Sequence, residues 1–242
     1  MTVDALIFAG GTGTRMTGSD RPKQFLEVGG RPILVHTIER FAGHAQVDGV
    51  TVVCLADWIG HLERCLAGMP YVSKVSVVPG GATGQESIYQ GVCHIRELRG
   101  DARDDVVLVH DGVRPIIDAE TISSCIEAVR EHGGAVTVSP AIETIVSLGD
   151  DGKVSSISDR STCALARAPQ GFWLHELVRA HERAREEGLE FIDSLSLMAH
   201  YGRDAWAVEG QPQNIKVTTP TDYFACKAYM DMNDYGGLWG GV

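Results

Sequence analysis

The residues best suited to chemistry are cations set beside glycines. Gly10, Gly11, Gly13 and Arg15 fall within the run Ala9-Gly-Gly-Thr-Gly-Thr-Arg-Met16, and Lys23 follows in Pro22-Lys-Gln-Phe25. Glycines at the end of a strand let the backbone approach a ligand closely and aim N–H groups at phosphate oxygens. Arg15 and Lys23 add fixed positive charge where a triphosphate is negative. Two other phosphate loops are excluded. A dinucleotide fingerprint on Gly11-x-Gly13 requires Gly or Ala at position 16, where Met16 stands, and no Gly-Lys-Ser/Thr is present. A glycine-rich surface turn with two solvated cations is the competing reading.

A second constellation is Val106-Val-Leu-Val-His-Asp111-Gly-Val-Arg114-Pro115. An apolar strand here delivers Asp111 to the carboxyl edge of a sheet, where open α/β folds bind ligands. A carboxylate in that place can hold Mg²⁺, which bridges to substrate phosphates while keeping part of its water. Asp111 as a cap of a turn or helix is the alternative, and Arg114 leans toward a structural partner of nearby carboxylates. Lys216, in Asn214-Ile-Lys-Val-Thr-Thr-Pro220, is placed for a second phosphate contact or else is a solvated lysine. Asp159-Arg160 reads as a surface ion pair, worth about 0–1 kcal/mol, or as a group that reaches a partner's site.

The elements that must position these groups follow from periodicity. Apolar, β-rich runs recur at Ala5–Ala9, Val50–Leu55, Val75–Val78, Val106–Val109 and Ala135–Ser139. Segments of helical period lie between them, at 33–41, 88–98 and 122–129. Alternating strands and helices predict an α/β fold with a parallel sheet covered on both faces. The alternation breaks at about 143–160, where Thr144–Leu148 and Lys153–Ile157 flank the turn Gly149-Asp-Asp-Gly152 as a β-hairpin. A lone hairpin is marginal in water, so this arm is expected to pack on something, plausibly a second subunit. Helices are expected again over 174–185 and 193–200, strands over 205–208 and 215–217, and a last helix from Pro220 to about Met230. The tail 236–242 reads as loose, and no linker divides residues 1–242, which are expected to form one domain with the 143–160 arm.

Composition narrows the class. Over 242 residues the net charge is −11, which disfavours nucleic acid as a partner and makes each lysine and arginine informative. No run approaches the ~20 apolar residues of a spanning helix, so no membrane partner is expected. The six cysteines are scattered without a CxxC and read as reduced core residues, in keeping with a cytoplasmic location.

Six motifs in order resemble the CTP-dependent cytidylyltransferases that act on methylerythritol phosphate or ribitol phosphate. They are Ala-Gly-Gly-x-Gly-x-Arg-Met (9–16), Pro-Lys-Gln-Phe (22–25), Gly80-Gly81 with Ser87, His-Asp-x-x-Arg-Pro (110–115), Ala168-Pro-Gln-x-Phe172 and Asn-Ile-Lys-Val-Thr (214–218). The resemblance implies a Rossmann-like, doubly wound, mostly parallel sheet and a β-hairpin arm that interlocks a homodimer. It also implies Mg²⁺-dependent attack of a sugar- or polyol-phosphate oxygen on the α-phosphorus of CTP. By position it gives catalytic contacts to Arg15, Lys23 and Lys216. Nucleotide contacts fall to Ala9, Gly10, Gly11, Gly81, Ser87 and Gly112, and acceptor contacts to Asp111, Asp193 and a partner's Arg160. No side-chain nucleophile is needed, since such transfer depends on placing charge. Ala168 and Ile192 stand where the methylerythritol-phosphate branch usually has threonines, while Lys23–Leu26, Val35–Phe41 and Val113 resemble the ribitol-phosphate branch. The expected acceptor is therefore ribitol 5-phosphate or a related polyol phosphate, with the methylerythritol phosphate enzyme of isoprenoid biosynthesis as the alternative. A nucleotide-dependent oxidoreductase and an inactive nucleotide-binding module are the rivals from other classes.

Overall fold

A computed structural model describes residues 1–10, 21–100 and 102–234; Gly11, Arg15 and the tail 236–242 lie outside the described residues. In chain order the elements are β1 (Val3–Ala9), β2 (Glu27–Val28), β3 (Arg31–Pro32), α1 (Ile33–Ala42), β4 (Gly49–Cys54), α2 (Ile59–Leu66), β5 (Val75–Pro79), α3 (Gly84–Arg99), β6 (Val106–Asp111), α4 (Ala119–His132) and β7 (Gly134–Pro140). They continue with β8 (Val146–Leu148), β9 (Val154–Ile157), β10 (Ala164–Trp173), α5 (Leu174–Glu187), α6 (Ser194–His200), β11 (Trp206–Glu209) and α7 (Pro220–Asp234).

Seven strands form one sheet in the order β11-β7-β10-β6-β1-β4-β5. The pairs β1–β4, β1–β6, β4–β5 and β7–β11 are parallel, whereas β10 runs antiparallel to both β6 and β7. Alternate residues feed two cores, as the period of a strand requires. Ala5, Ile7, Val106 and Leu108 face one side, with Leu34, Ile38, Phe41, Ile122, Ile126 and Val129 of α1 and α4. Leu6, Val107 and Val109 face the other, with Val92, Ile95, Leu177 and Val178 of α3 and α5. Leu108 is fully buried, and truncation to Ala there would cost about 2–5 kcal/mol.

This order creates the crevice that positions the site. From β1 the chain steps outward to β4 and β5, then returns to place β6 on the opposite side of β1. The reversal between β1 and β6 is the switch point at which open α/β sheets bind ligands, beyond the carboxyl ends of their strands. Phe8 registers against Asp111, so both strands end level at this crevice.

Beyond α2, β2 and β3, which have no counterpart in the sequence expectation, three details differ from it. β10 was not foreseen, because Pro169 within a run argues against a strand; here the ladder with β7 shifts register between Ala166 and Gln170, so the proline sits where no regular pairing is required. Ile215–Val217 is not a strand. Val217 N–H donates to Val113 O at 3.0 Å, but the rest of the segment is fixed by side-chain bonds to Asn214 rather than by a ladder. The hairpin forms, with shorter strands than expected, as a separate two-stranded sheet.

Candidate active site

Asp111 ends β6 and is the hub of the site. Its Oδ1 lies 2.6 Å from Lys216 Nζ, and its Oδ2 accepts from Arg114 Nε at 2.8 Å. The carboxylate side chain is only 17% exposed. Burial pushes its pKa up, but Lys216 and then Arg114 outweigh burial and bring it down to about 2, so Asp111 is ionised at neutral pH. Arg114 is itself buried, and its Nη1 donates to Asn214 O at 2.8 Å. That bond ties the segment carrying Lys216 to the end of β6.

His110 supports the turn from behind. Its Nε2 lies 3.0 Å from Arg114 O; a carbonyl can only accept, so Nε2 carries the proton. Burial lowers the imidazole pKa to about 4, keeping it neutral, and the ring packs on Phe41 with centroids 4.8 Å apart. Gly112 is consumed by the fold as well. Its N–H donates to Phe8 O at 2.8 Å, and its carbonyl accepts from Thr37 Oγ1 at 3.0 Å. A Cβ at position 112 would meet Leu34 Cδ1 at 2.8 Å and Ala9 Cβ at 3.1 Å. Glycine here permits the close approach of the β1 and β6 ends rather than offering a free N–H to a nucleotide.

The ends of β1 and β5 are organised by Ser87 and Gln24, both buried. Ser87 Oγ accepts from Gly81 N–H at 3.0 Å and donates to Thr83 O at 2.9 Å. A Cβ on Gly10 would lie 3.0 Å from that hydroxyl. Ser87 therefore joins the ends of β1 and β5. Gln24 Nε2 donates to Ala9 O at 2.7 Å, holding the short 3₁₀ turn Lys23–Phe25 to the end of β1. Phe25 anchors that turn by stacking on Trp58 at 4.6 Å.

A cavity of about 280 Å³ opens beside Asp111, lined also by Arg114, Arg167, Gln170, Asp193 and Lys216. Asp193 caps α6: its Oδ1 accepts from Ser196 N–H at 2.8 Å, and its Oδ2 accepts from Gln170 Nε2 at 3.2 Å. The fold thus gathers Asp111, Lys216 and Asp193 around one cavity, with Gly10 and Gly80-Gly81 at the ends of β1 and β5. Arg160 does not join them within its own chain. It is exposed, donates to Ile142 O at 2.8 Å, and lines a separate groove with Ile142 and Cys163.

Two lining residues escaped the sequence reading. Arg167 lies in the small-residue run Ala164–Ala168, where a lone cation in an interior strand was the available signal. His181 lies on the buried face of α5, burial lowers its pKa to about 4, and neither ring nitrogen has a partner among the described residues. It shares the buried face of α5 with Leu177, Val178 and Ala184, so nothing in the spacing sets it apart from the core. Among the described residues no three His, Cys, Asp or Glu side chains cluster as a metal centre, and no helix is long and apolar enough to cross a membrane.

Comparison with known proteins gives a consistent picture. The chain is 46% identical over 231 residues to a ribitol-5-phosphate cytidylyltransferase of Vibrio parahaemolyticus, covering 95% of this chain and 96% of that protein. It is 38% identical to a 2-C-methyl-D-erythritol 4-phosphate cytidylyltransferase of Geobacter metallireducens, covering 95% and 98%. Among solved structures, a 4-diphosphocytidyl-2C-methyl-D-erythritol synthase from Anaerococcus prevotii superposes with a TM-score of 0.82 at 26% identity, covering 95% and 96% of the two chains. A family model, IspD: 2-C-methyl-D-erythritol 4-phosphate cytidylyltransferase, matches residues 3–232. With that span matched, and with a relative at 46% identity covered over 96% of its own length, the chain belongs to the IspD family of cytidylyltransferases.

Proposed function

We propose that this chain transfers CMP from CTP to ribitol 5-phosphate or a closely related polyol phosphate, forming a CDP-polyol and pyrophosphate. An oxygen of the acceptor phosphate forms a bond to the α-phosphorus. The bond from that phosphorus to the oxygen bridging to the β-phosphorus breaks, and pyrophosphate leaves with the electron pair. The observation that carries this reading is the Asp111–Lys216–Arg114 cluster at the β1/β6 switch point, opening into a cavity of about 280 Å³. Such a reaction asks chiefly for positioned charge.

Each group has a place in it. The backbone of Ala9, Gly10, Gly11 and Gly81 receives the nucleotide, with Ser87 and Gly112 fixing the loops. Lys23 and Arg15 supply positive charge to the triphosphate, where negative charge grows as pyrophosphate departs. Lys216 is held by Asp111 to meet the reacting phosphates, and Asp193, with Gln170, accepts hydroxyls of the acceptor. Mg²⁺ suits the donor set. Asp111 is an ionised oxygen ligand, and each of its oxygens keeps a lone pair beyond the contacts to Lys216 and Arg114. Asp111 would hold the ion, which would neutralise triphosphate charge.

Relatives at 46% and 42% identity named ribitol-5-phosphate cytidylyltransferases support the acceptor, as do Ala168 and Ile192, which present no hydroxyl to the cavity they line. The working enzyme is a cytoplasmic homodimer of one-domain subunits, with the arm at 143–160 carrying Arg160 to the neighbour's acceptor phosphate. Pyrophosphate release from CTP, measured with ribitol 5-phosphate, methylerythritol 4-phosphate and other sugar phosphates, tests the reading. The highest kcat/KM is expected with ribitol 5-phosphate; no release with any acceptor would overturn the activity.

A further inference from the structure

Arg167 is the one cation lining the cavity that no carboxylate balances among the described residues. Three cations, Arg114, Arg167 and Lys216, line it against two carboxylates, Asp111 and Asp193. Asp111 is shared between Lys216 and Arg114, and Asp193 is engaged by the α6 N-terminus and Gln170. Arg167 has only neutral anchors: Nε donates to Ser139 Oγ at 2.7 Å, and Nη1 donates to Asn214 O at 2.6 Å. Ser139 and Asn214 are both buried, so the guanidinium is held rigidly at the cavity wall with Nη2 left for a ligand.

Leaving such a charge half-buried and unpaired is unfavourable. Burial, and then repulsion from Arg114, lower the Arg167 pKa from its ordinary value. An arginine kept in this situation is matched to an anion that arrives with the substrate. Its place in the sheet selects which anion. Arg167 is on β10, separated from β1 by β6 and on the side away from β4 and β5. The glycine loops follow β1 and β5, so the nucleotide end of the crevice is on the far side.

We propose that Arg167 binds the phosphate of the acceptor within its own subunit, as a substrate-binding residue separate from the triphosphate contacts. This rests on the cytidylyltransferase reading above. It assigns the acceptor phosphate a rigid cis ligand, to which an arginine from a neighbouring subunit would be an addition.

The test is steady-state kinetics of wild type, Arg167→Gln and Arg167→Lys, with CTP and ribitol 5-phosphate varied independently and melting temperatures recorded. Arg167→Gln is expected to raise the acceptor KM on the order of 10- to 100-fold while moving the CTP KM less than about threefold, the pattern of a lost ground-state contact to one substrate. Arg167→Lys keeps the charge without the fork and is expected to lie between the two. An unchanged acceptor KM in a folded Arg167→Gln overturns the inference. So does an equal rise in both KM values with a lowered melting temperature, which a mere staple between β10 and Asn214 would produce. If Arg167→Gln does not fold, the Lys variant decides by the same split. Failure of wild type to release pyrophosphate with any acceptor overturns the activity and this inference together, whereas an active wild type with unaltered variants overturns this inference alone.

Discussion

Lys216 Nζ lies 2.6 Å from Asp111 Oδ1, although the two residues are 105 positions apart and belong to no common ladder. The contact exists because Arg114 and Arg167 both donate to Asn214 O, drawing the loop that precedes Lys216 against the ends of β6 and β10. A cation on an irregular segment is thereby placed as firmly as one on a strand.

That arrangement predicts an acid limit to stability. The folded Asp111 pKa of about 2 lies below the ordinary carboxylate value, so the unfolded chain takes up the proton first as pH falls. Its contribution is present above about pH 4 and is lost as pH falls toward 2. The shift corresponds to about 2 kcal/mol. In urea denaturation, Asp111→Asn should be less stable than wild type at pH 6, with the gap narrowing below pH 4. A gap independent of pH would show that the carboxylate charge is not what holds Lys216 and Arg114.

Much of this site was legible in the sequence because its parts end strands or follow glycines. Asp111 closes the apolar run Val106–Val109, and a strand that ends in a carboxylate at a ligand edge is readable from composition and order. What could not be read is convergence. β10 was concealed by Pro169, so Arg167 had no element to place it, and His181 matched the apolar spacing of a packed helix. Lys216 was recognised but assigned to a strand, because Ile215 and Val217 supply an alternating pattern. Three side-chain bonds to Asn214 decide that segment, and pattern reasoning does not see them.

His110 and His181 predict a second, higher pH transition. Burial lowers both pKa values to about 4, below the unfolded value of about 6.5. The unfolded chain binds protons first as pH drops through 6.5, so stability is full above that value and declines toward pH 4. Each shift corresponds to about 3 kcal/mol. Melting temperature should fall between pH 7.5 and 5, where carboxylates are still largely ionised, and His181→Gln should flatten the slope. A flat profile over that range in wild type would sink the claim that these imidazoles are held neutral.

Lys23→Ala should reduce kcat by about 10²–10³-fold without unfolding the protein. The turn that carries Lys23 is fixed by Gln24 on Ala9 O and by Phe25 on Trp58, and neither contact involves the lysine side chain. Melting temperature is recorded beside turnover, so that kcat is compared in folded protein. Turnover near the wild-type value in a folded Lys23→Ala would remove Lys23 from the triphosphate site.

The arm carries the last prediction, a dimer with active sites shared between subunits. β8 and β9 make a two-stranded sheet that pairs with no other strand among the described residues. Their apolar residues stand in solvent in the single subunit, from Val146 at 42% exposed to Ile157 at 70%, with Leu148 and Val154 between. A two-stranded ribbon is marginal in water and gains stability when this surface is covered. A second copy of the same arm is the covering that fits. The charged turn Asp150-Asp151 then stays at an exposed tip, and exchange about a two-fold axis makes the contact self-complementary. Arg160, which is outside its own chain's cavity, is carried toward the neighbour's acceptor site by the same exchange. Lys23→Ala and Arg160→Ala should each be impaired alone, yet regain activity when mixed under conditions of subunit exchange. A heterodimer then holds one site with both residues intact. Sedimentation should report a dimer at working concentration, and Ile157→Asp should shift it toward monomer. A wild-type monomer, or mixed variants that recover no activity despite measured exchange, would confine Arg160 to its own chain and leave the arm without this function.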